Sequence, residues 1–175
     1  LLDQELPAAH LAGAEALLAG YPALAARWAR LARRRLLGTA ASMQGAVQLI
    51  GTAAAPALVW EDAAASRLVQ QPPLLQAQVR VLHLVHELTE WALVEDAPTT
   101  DLLQPDATRE AAACLAQAWV YHRLAPAERA QLRQAAEALD RAEPDLEDRF
   151  EPVLDFYDRL DPATLLTAPP GPALA

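Results

Sequence analysis

Apolar positions recur along most of this 175-residue chain at the three- and four-residue spacing of amphipathic helices. The clearest case runs from Leu74 to Val94. There Leu75, Val79, Leu82, His86, Thr89 and Leu93 fall at alternating steps of four and three, and Val81, Leu84, Leu88 and Trp91 form a second apolar stripe. Two stripes predict a helix buried over a wide arc, at the centre of a bundle.

Proline, glycine and capping residues place its neighbours. Pro7 opens an apolar helix through Leu18 that Gly20 closes, and Pro22 opens the next. Arg27, Arg30 and Arg34 give that second helix a basic stripe, with Leu24, Trp28 and Leu31 on its apolar side and Gly38 to bend or end it. Further helices are predicted from about Thr39 to Ile50 and from Ala57 to Gln70, the latter stopped by Pro72-Pro73. Glu95 to Pro105 reads as a loop. Asp106 or Thr108 caps a helix reaching about Leu124, and Ala125-Pro126 turns the chain into a helix ending near Ala142. Glu143-Pro144-Asp145 starts a last helix that Pro152 kinks or splits. The expected fold class is all-α: a single-domain bundle of six or seven helices over residues 1–166, with 74–94 central, then a Pro-rich flexible tail at 167–175.

Composition agrees with helix. Ala and Leu supply much of the 53% hydrophobic content, aromatics are 5%, and Ile50 is the only isoleucine, whereas strands draw on β-branched and aromatic residues. All 14 basic residues are Arg, and Lys and Asn are absent, the coding bias expected of a GC-rich bacterial genome. Leu36 to Trp60 carries no charge for 25 positions behind Arg33-Arg34-Arg35 and resembles a twin-arginine export signal. Gln44 and Gln48 in its middle, and its Gly, Ala, Ser and Thr content, favour a buried central helix instead.

Net charge is −9 but uneven: 7 Arg against 5 acids up to His86, then 7 Arg against 18 acids from Glu87 to Asp161. That balance argues against nucleic acid as the main partner and leaves a basic partner or a divalent metal. One cysteine, Cys114, excludes an internal disulfide and a Cys-cluster zinc site, and points to the reducing cytoplasm. Within Ala-Ala-Ala-Cys-Leu-Ala it reads as a small core residue. Gly38, Gly45 and Gly51 are too widely spaced for a phosphate-binding loop, and neither Ser42 nor Ser66 lies in Gly-x-Ser-x-Gly.

Candidate chemistry gathers in Val81 to Trp91, Val-Leu-His-Leu-Val-His-Glu-Leu-Thr-Glu-Trp. On a helix His83 and Glu87 lie one turn apart, as do His86 and Glu90, so each pair is spaced to share a cation. The segment His86-Glu87-Leu88-Thr89-Glu90 resembles the zinc-peptidase helix His-Glu-x-x-His. The resemblance implies His86 as a ligand and Glu87 as the catalytic base that activates water. It departs where Glu90 stands in place of the second His, and no strand pattern precedes it where that family carries a sheet. Read as a carboxylate site in a bundle, Glu87-x-x-Glu90 is one half, and Asp148, Glu151, Asp155 and Asp158 on one face of the last helix are the other. This pairing resembles the all-α nucleotide pyrophosphohydrolases, which implies Mg²⁺; the zinc-peptidase reading implies Zn²⁺. The metal-ligand candidates are therefore His83, His86, Glu87, Glu90, Asp148 and Glu151, with Glu87 as the catalytic candidate. A plainer account makes Arg80, His83, Glu87 and Glu90 a solvated helix face and His86 a hydrogen-bonded core residue.

Three functions follow. With no complete catalytic motif, the leading expectation is a non-catalytic helical module for protein interaction, regulation or assembly, bound to a protein partner or to its own copy, with no membrane role. The second is a divalent-metal-dependent hydrolase centred on helix 74–94. The third is a helical pocket for a small apolar ligand lined by Trp91 and Trp119.

Overall fold

The computed structural model describes residues 4–5, 18–34, 36–41, 47–62, 66, 70–71, 73–142 and 149–167. Its class is mixed α/β, which corrects the all-α expectation. Strands β1 (Gln4–Glu5), β2 (Leu37–Ala40), β3 (Val47–Thr52) and β4 (Ala55–Glu61) form one sheet in the order β1-β2-β4-β3. β1 runs antiparallel to β2, β2 parallel to β4, and β3 antiparallel to β4. Of the helices expected over Thr39–Ile50 and Ala57–Gln70, residues 39–40, 47–50 and 57–61 are strand instead, Asp62 and Ser66 are helical, and 42–46, 63–65 and 67–69 lie outside the described residues.

The reason lies in where β2 and β4 sit. Both are inner strands of the sheet. Leu37, Gly38 and Thr39 are buried in succession in β2, as are Leu58, Val59 and Trp60 in β4. A strand covered on both faces loses the alternation that identifies a strand and reads as an unbroken apolar run. Only the edge strand β3 alternates, with Val47 and Leu49 buried and Gln48 and Ile50 half-buried.

The β3–β4 hairpin turns at Ala53-Ala54 without the Asn-Gly or Asp-Gly that usually specifies a two-residue loop. Its shape is imposed from outside. Ala53 N–H donates to Thr100 O at 3.0 Å, Ala54 N–H to Pro98 O at 3.1 Å, and Leu102 N–H to Gly51 O at 2.9 Å. Trp91 adds an indole N–H bond to Ala53 O at 3.0 Å. Gly51 sits at φ +89°, and a Cβ there would lie 2.6 Å from Ala55 O.

Six helices are described: α1 (Pro22–Arg33), α2 (Pro73–Val94), α3 (Ala107–Arg123), α4 (Pro126–Ala142), α5 (Phe150–Arg159) and α6 (Pro162–Leu165). As expected, Pro22 opens α1, Pro126 opens α4, and Asp106 caps α3 by accepting from Thr108 and Arg109 N–H. α2 is central: it packs on α3, α1, α4 and the edge strand β3. Its Leu84, Val85 and Leu88 are fully buried among Trp28, Leu49, Leu58 and Val120. Buried Ala113 and Ala116 let α3 approach closely.

Pro152 does not kink α5. The helix begins at Phe150, so Pro152 lies in the first turn, where a missing N–H costs nothing. Asp140 at the end of α4 caps α5 instead, accepting from Phe150 N–H at 3.0 Å and Glu151 N–H at 2.8 Å. The basic stripe of α1 meets Glu95, which pairs with both Arg27 and Arg30. The helix expected over Pro7–Leu18, apart from the buried turn residue Leu18, and the tail from 168 onward lie outside the described residues. Among the described residues no helix is long and apolar enough to cross a membrane.

Candidate metal centre

Two faces of α2 bring chemistry to two different neighbours. A residue step turns a helix by about 100°, so His86 and Glu90 face one way and Glu87 another. His86 faces α3. Its Nε2 lies 3.4 Å from Glu110 Oε2, and the side chain is 17% exposed against 59% for Glu110. Cys114, one turn along α3, donates through Sγ to Glu110 Oε1 at 3.4 Å. Ligand atoms of His86, Glu110 and Cys114 all lie within 4.8 Å of one another, and among the described residues they form the one such group of metal-binding types.

The orientation of His86 is fixed behind it. Gln117 donates its Nε2–H to Leu82 O at 2.9 Å. A carbonyl can only accept, so the amide oxygen of Gln117 faces the other way. That oxygen accepts from Tyr157 Oη at 2.7 Å and lies 3.1 Å from His86 Nδ1. Burial raises the pKa of Tyr157, which keeps the phenol a donor. Nδ1 of His86 therefore carries the hydrogen, and Nε2 points to Glu110 and Cys114.

Electrostatics follow from this packing. Burial disfavours charge on His86, but hydrogen bonds with Cys114 and Glu110 and the charges of Glu87 and Glu110 outweigh it and raise its pKa. Its hydrogen bond to His86 lowers the pKa of Glu110 against a smaller effect of burial.

Of the residues singled out from the sequence, His86 alone joins the three-donor group. Glu87 is buried against the sheet, where its Oε2 accepts Leu49 N–H at 2.7 Å. Burial lifts its pKa to about 7, while the charge of His86 and the Leu49 N–H pull the other way. Glu90, one turn from His86, is half-buried; burial raises its pKa, and the charges of His86 and Arg109 oppose the rise. His83 turns toward Phe150, with ring centroids 6.3 Å apart, and burial, then the charge of His86, lowers its pKa to about 4. These burials replace the solvated face expected for His83 and Glu87.

The second half expected from the last helix is not at this site. Glu151 opens α5 at Asp140, and Asp155 and Asp158 bind Arg133 of α4 at 2.9 and 2.5 Å. Asp148 lies outside the described residues. Trp91 and Trp119 do not share a pocket: Trp91 binds the hairpin, while Trp119 packs edge-on to Tyr21 and carries Arg123 over its face.

Glu110 and Gln117 carry no signal in the sequence pattern, which assigns Cys114 to the core. Their steps of four and three place them on one face of α3, and Glu110 is the only acid in that helix. Cys114 is half-buried beside His86 rather than a core residue. No protein family matches the chain, and neither does any curated protein or solved structure.

Proposed function

We propose that this chain is a divalent-metal-dependent hydrolase whose metal sits on His86 Nε2, Glu110 and Cys114. The observation that carries the reading is the convergence of these three donors from two helices, with His86 Nδ1 already held by Gln117. A tetrahedral Zn²⁺ with bonds of about 2.0–2.3 Å sets its ligand atoms roughly 3.3–3.8 Å apart. One ligand atom from each of His86, Glu110 and Cys114 lies within 4.8 Å of the other two, close to that spacing, and one N, one S and one O donor suit zinc better than Mg²⁺. A histidine whose second nitrogen is bonded to a fixed acceptor is the usual outer arrangement of a zinc ligand.

Three protein donors leave a further position, and a zinc ion so held supplies Lewis acidity and a water of lowered pKa. The chain's own contribution is proton transfer. Glu90 lies one turn from His86 on the same face of α2, and its half-buried carboxyl, whose pKa burial raises, is the acid placed to exchange a proton there. The zinc-peptidase resemblance of His86-Glu87-x-x-Glu90 gains support from the sheet, since the edge strand β3 packs against α2. Glu110 and Cys114 make up for the missing second histidine. Amide bonds of peptides are accordingly the first substrate class to test.

The experiment is a zinc-dependent assay on a fluorogenic peptide library with wild type and Glu90→Gln. Glu90→Gln is expected to keep the metal and lose activity by about 10²–10⁴-fold. No hydrolysis by the zinc-loaded wild type would remove the hydrolase.

A second reading, a protein-interaction module, is favoured by Val153 and Phe156, three residues apart on α5 and each 44% exposed. Sedimentation of wild type and Phe156→Glu tests self-association through that face.

A further inference from the structure

On the other side of α2 from His86, a groove of about 340 Å³ opens between α1, the hairpin tip and the loop after α2. Its walls include Leu31, Leu36, Pro56, Ala53 and Trp91, with Arg30, Arg34 and Glu95 around them. The volume is at the small end of ligand sites.

The charges in this groove are not equivalent. Glu95 is committed to Arg27 and Arg30. Arg30 is pinned as well, its guanidinium stacked 4.5 Å above the Trp91 ring. Arg34 has no hydrogen-bond or ion-pair partner for its guanidinium among the described residues, and it lines the groove. Arg27 and Arg30 share Glu95, so Arg34 is the guanidinium of the lining left to an anionic ligand. The walls are also built in advance. The hairpin tip is bonded to Pro98 and Thr100, and Trp91 is held by Ala53 O.

We propose that this groove binds a small amphipathic monocarboxylate, with its carboxylate on Arg34 and its apolar body against the half-buried Leu36 and the exposed Ala54 at the hairpin tip. A planar guanidinium engages a carboxylate through two parallel N–H bonds. One guanidinium left to the ligand matches one planar carboxylate, so the complementarity is to a single negative charge on an apolar body. This site is independent of the metal centre, because it shares none of the donors His86, Glu110 and Cys114.

The test is calorimetric titration with 4-phenylbutyrate and its uncharged amide, using wild type, Arg34→Ala and Arg34→Lys. Arg34 is exposed, so its variants keep the fold, which circular dichroism checks. Wild type is expected to bind the carboxylate at least about tenfold more tightly than the amide, a preference of one charge-assisted contact. Arg34→Ala is expected to lose that preference and Arg34→Lys to keep part of it. Equal binding of acid and amide, Arg34→Ala binding like wild type, or no binding by saturation-transfer NMR at millimolar ligand would each overturn the site.

Discussion

His86 Nδ1 lies 3.1 Å from the amide oxygen of Gln117, and that one contact turns the other ring nitrogen toward Glu110 and Cys114. The same amide oxygen serves Tyr157, and the amide nitrogen serves Leu82 O. A side chain on α3 thus ties α2 and α5 together while it sets the tautomer of a histidine. Gln117→Leu is expected to weaken zinc binding about 10–100-fold, as loss of an outer-sphere partner does. Gln117→Glu, which retains an acceptor, is expected to weaken it less. Competition against a chromophoric chelator gives both values; unchanged affinity in Gln117→Leu would detach the amide from the metal site.

Glu87 predicts a pH dependence of stability. Its folded-state pKa is raised from 4.5 to about 7, first by burial. Stability from such a group is whole below pH 4.5 and is lost as pH rises through 7. The gap corresponds to at most about 3 kcal/mol. Glu87→Gln keeps an acceptor for Leu49 N–H and has no charge to bury. Between pH 5 and pH 8 wild type should therefore lose stability relative to Glu87→Gln, by about 1–3 kcal/mol in urea denaturation. Parallel pH profiles would show that Glu87 does not titrate in this range.

Gly51 carries the hairpin. At φ +89°, with a Cβ position 2.6 Å from Ala55 O, Gly51→Ala must move backbone. The expected loss is about 1–3 kcal/mol, with faster amide exchange across β3 and β4. A variant as stable as wild type would mean that the hairpin tolerates another backbone path.

Asp140 is buried and caps a helix it does not belong to, through Phe150 and Glu151 N–H. Asp140→Ala should cost about 1–2 kcal/mol. Amide protection should fall at Phe150 and Glu151 before it falls in α2. Uniform loss across the chain would place the role of Asp140 elsewhere.

The helices were legible because their ends carry local chemistry. Pro22, Asp106 and Pro126 mark starts that need no tertiary information, and the two stripes of Leu74–Val94 match the 22 residues of α2 closely. The sheet was not, because β2 and β4 are buried on both faces and β3–β4 turns at two alanines. What holds that turn is Trp91 and the carbonyls of Pro98 and Thr100, some 40 residues downstream. The site was half legible. His86, Glu87 and Glu90 stand out from their spacing. Glu110 and Cys114 join His86 only through the register of α3 against α2, which no local pattern encodes. The acids of α5 misled for the converse reason: Arg133, on the preceding helix, already occupies Asp155 and Asp158.

The central claim stands or falls on zinc itself. Isothermal titration of the chelator-stripped chain with Zn²⁺ should give one site, with binding that tightens as pH rises because His86 must give up its proton. His86→Ala, Glu110→Ala and Cys114→Ser should each weaken it at least about tenfold while the helical circular dichroism persists. Absence of zinc binding by the folded wild type, or binding indifferent to all three substitutions, would contradict the metal centre.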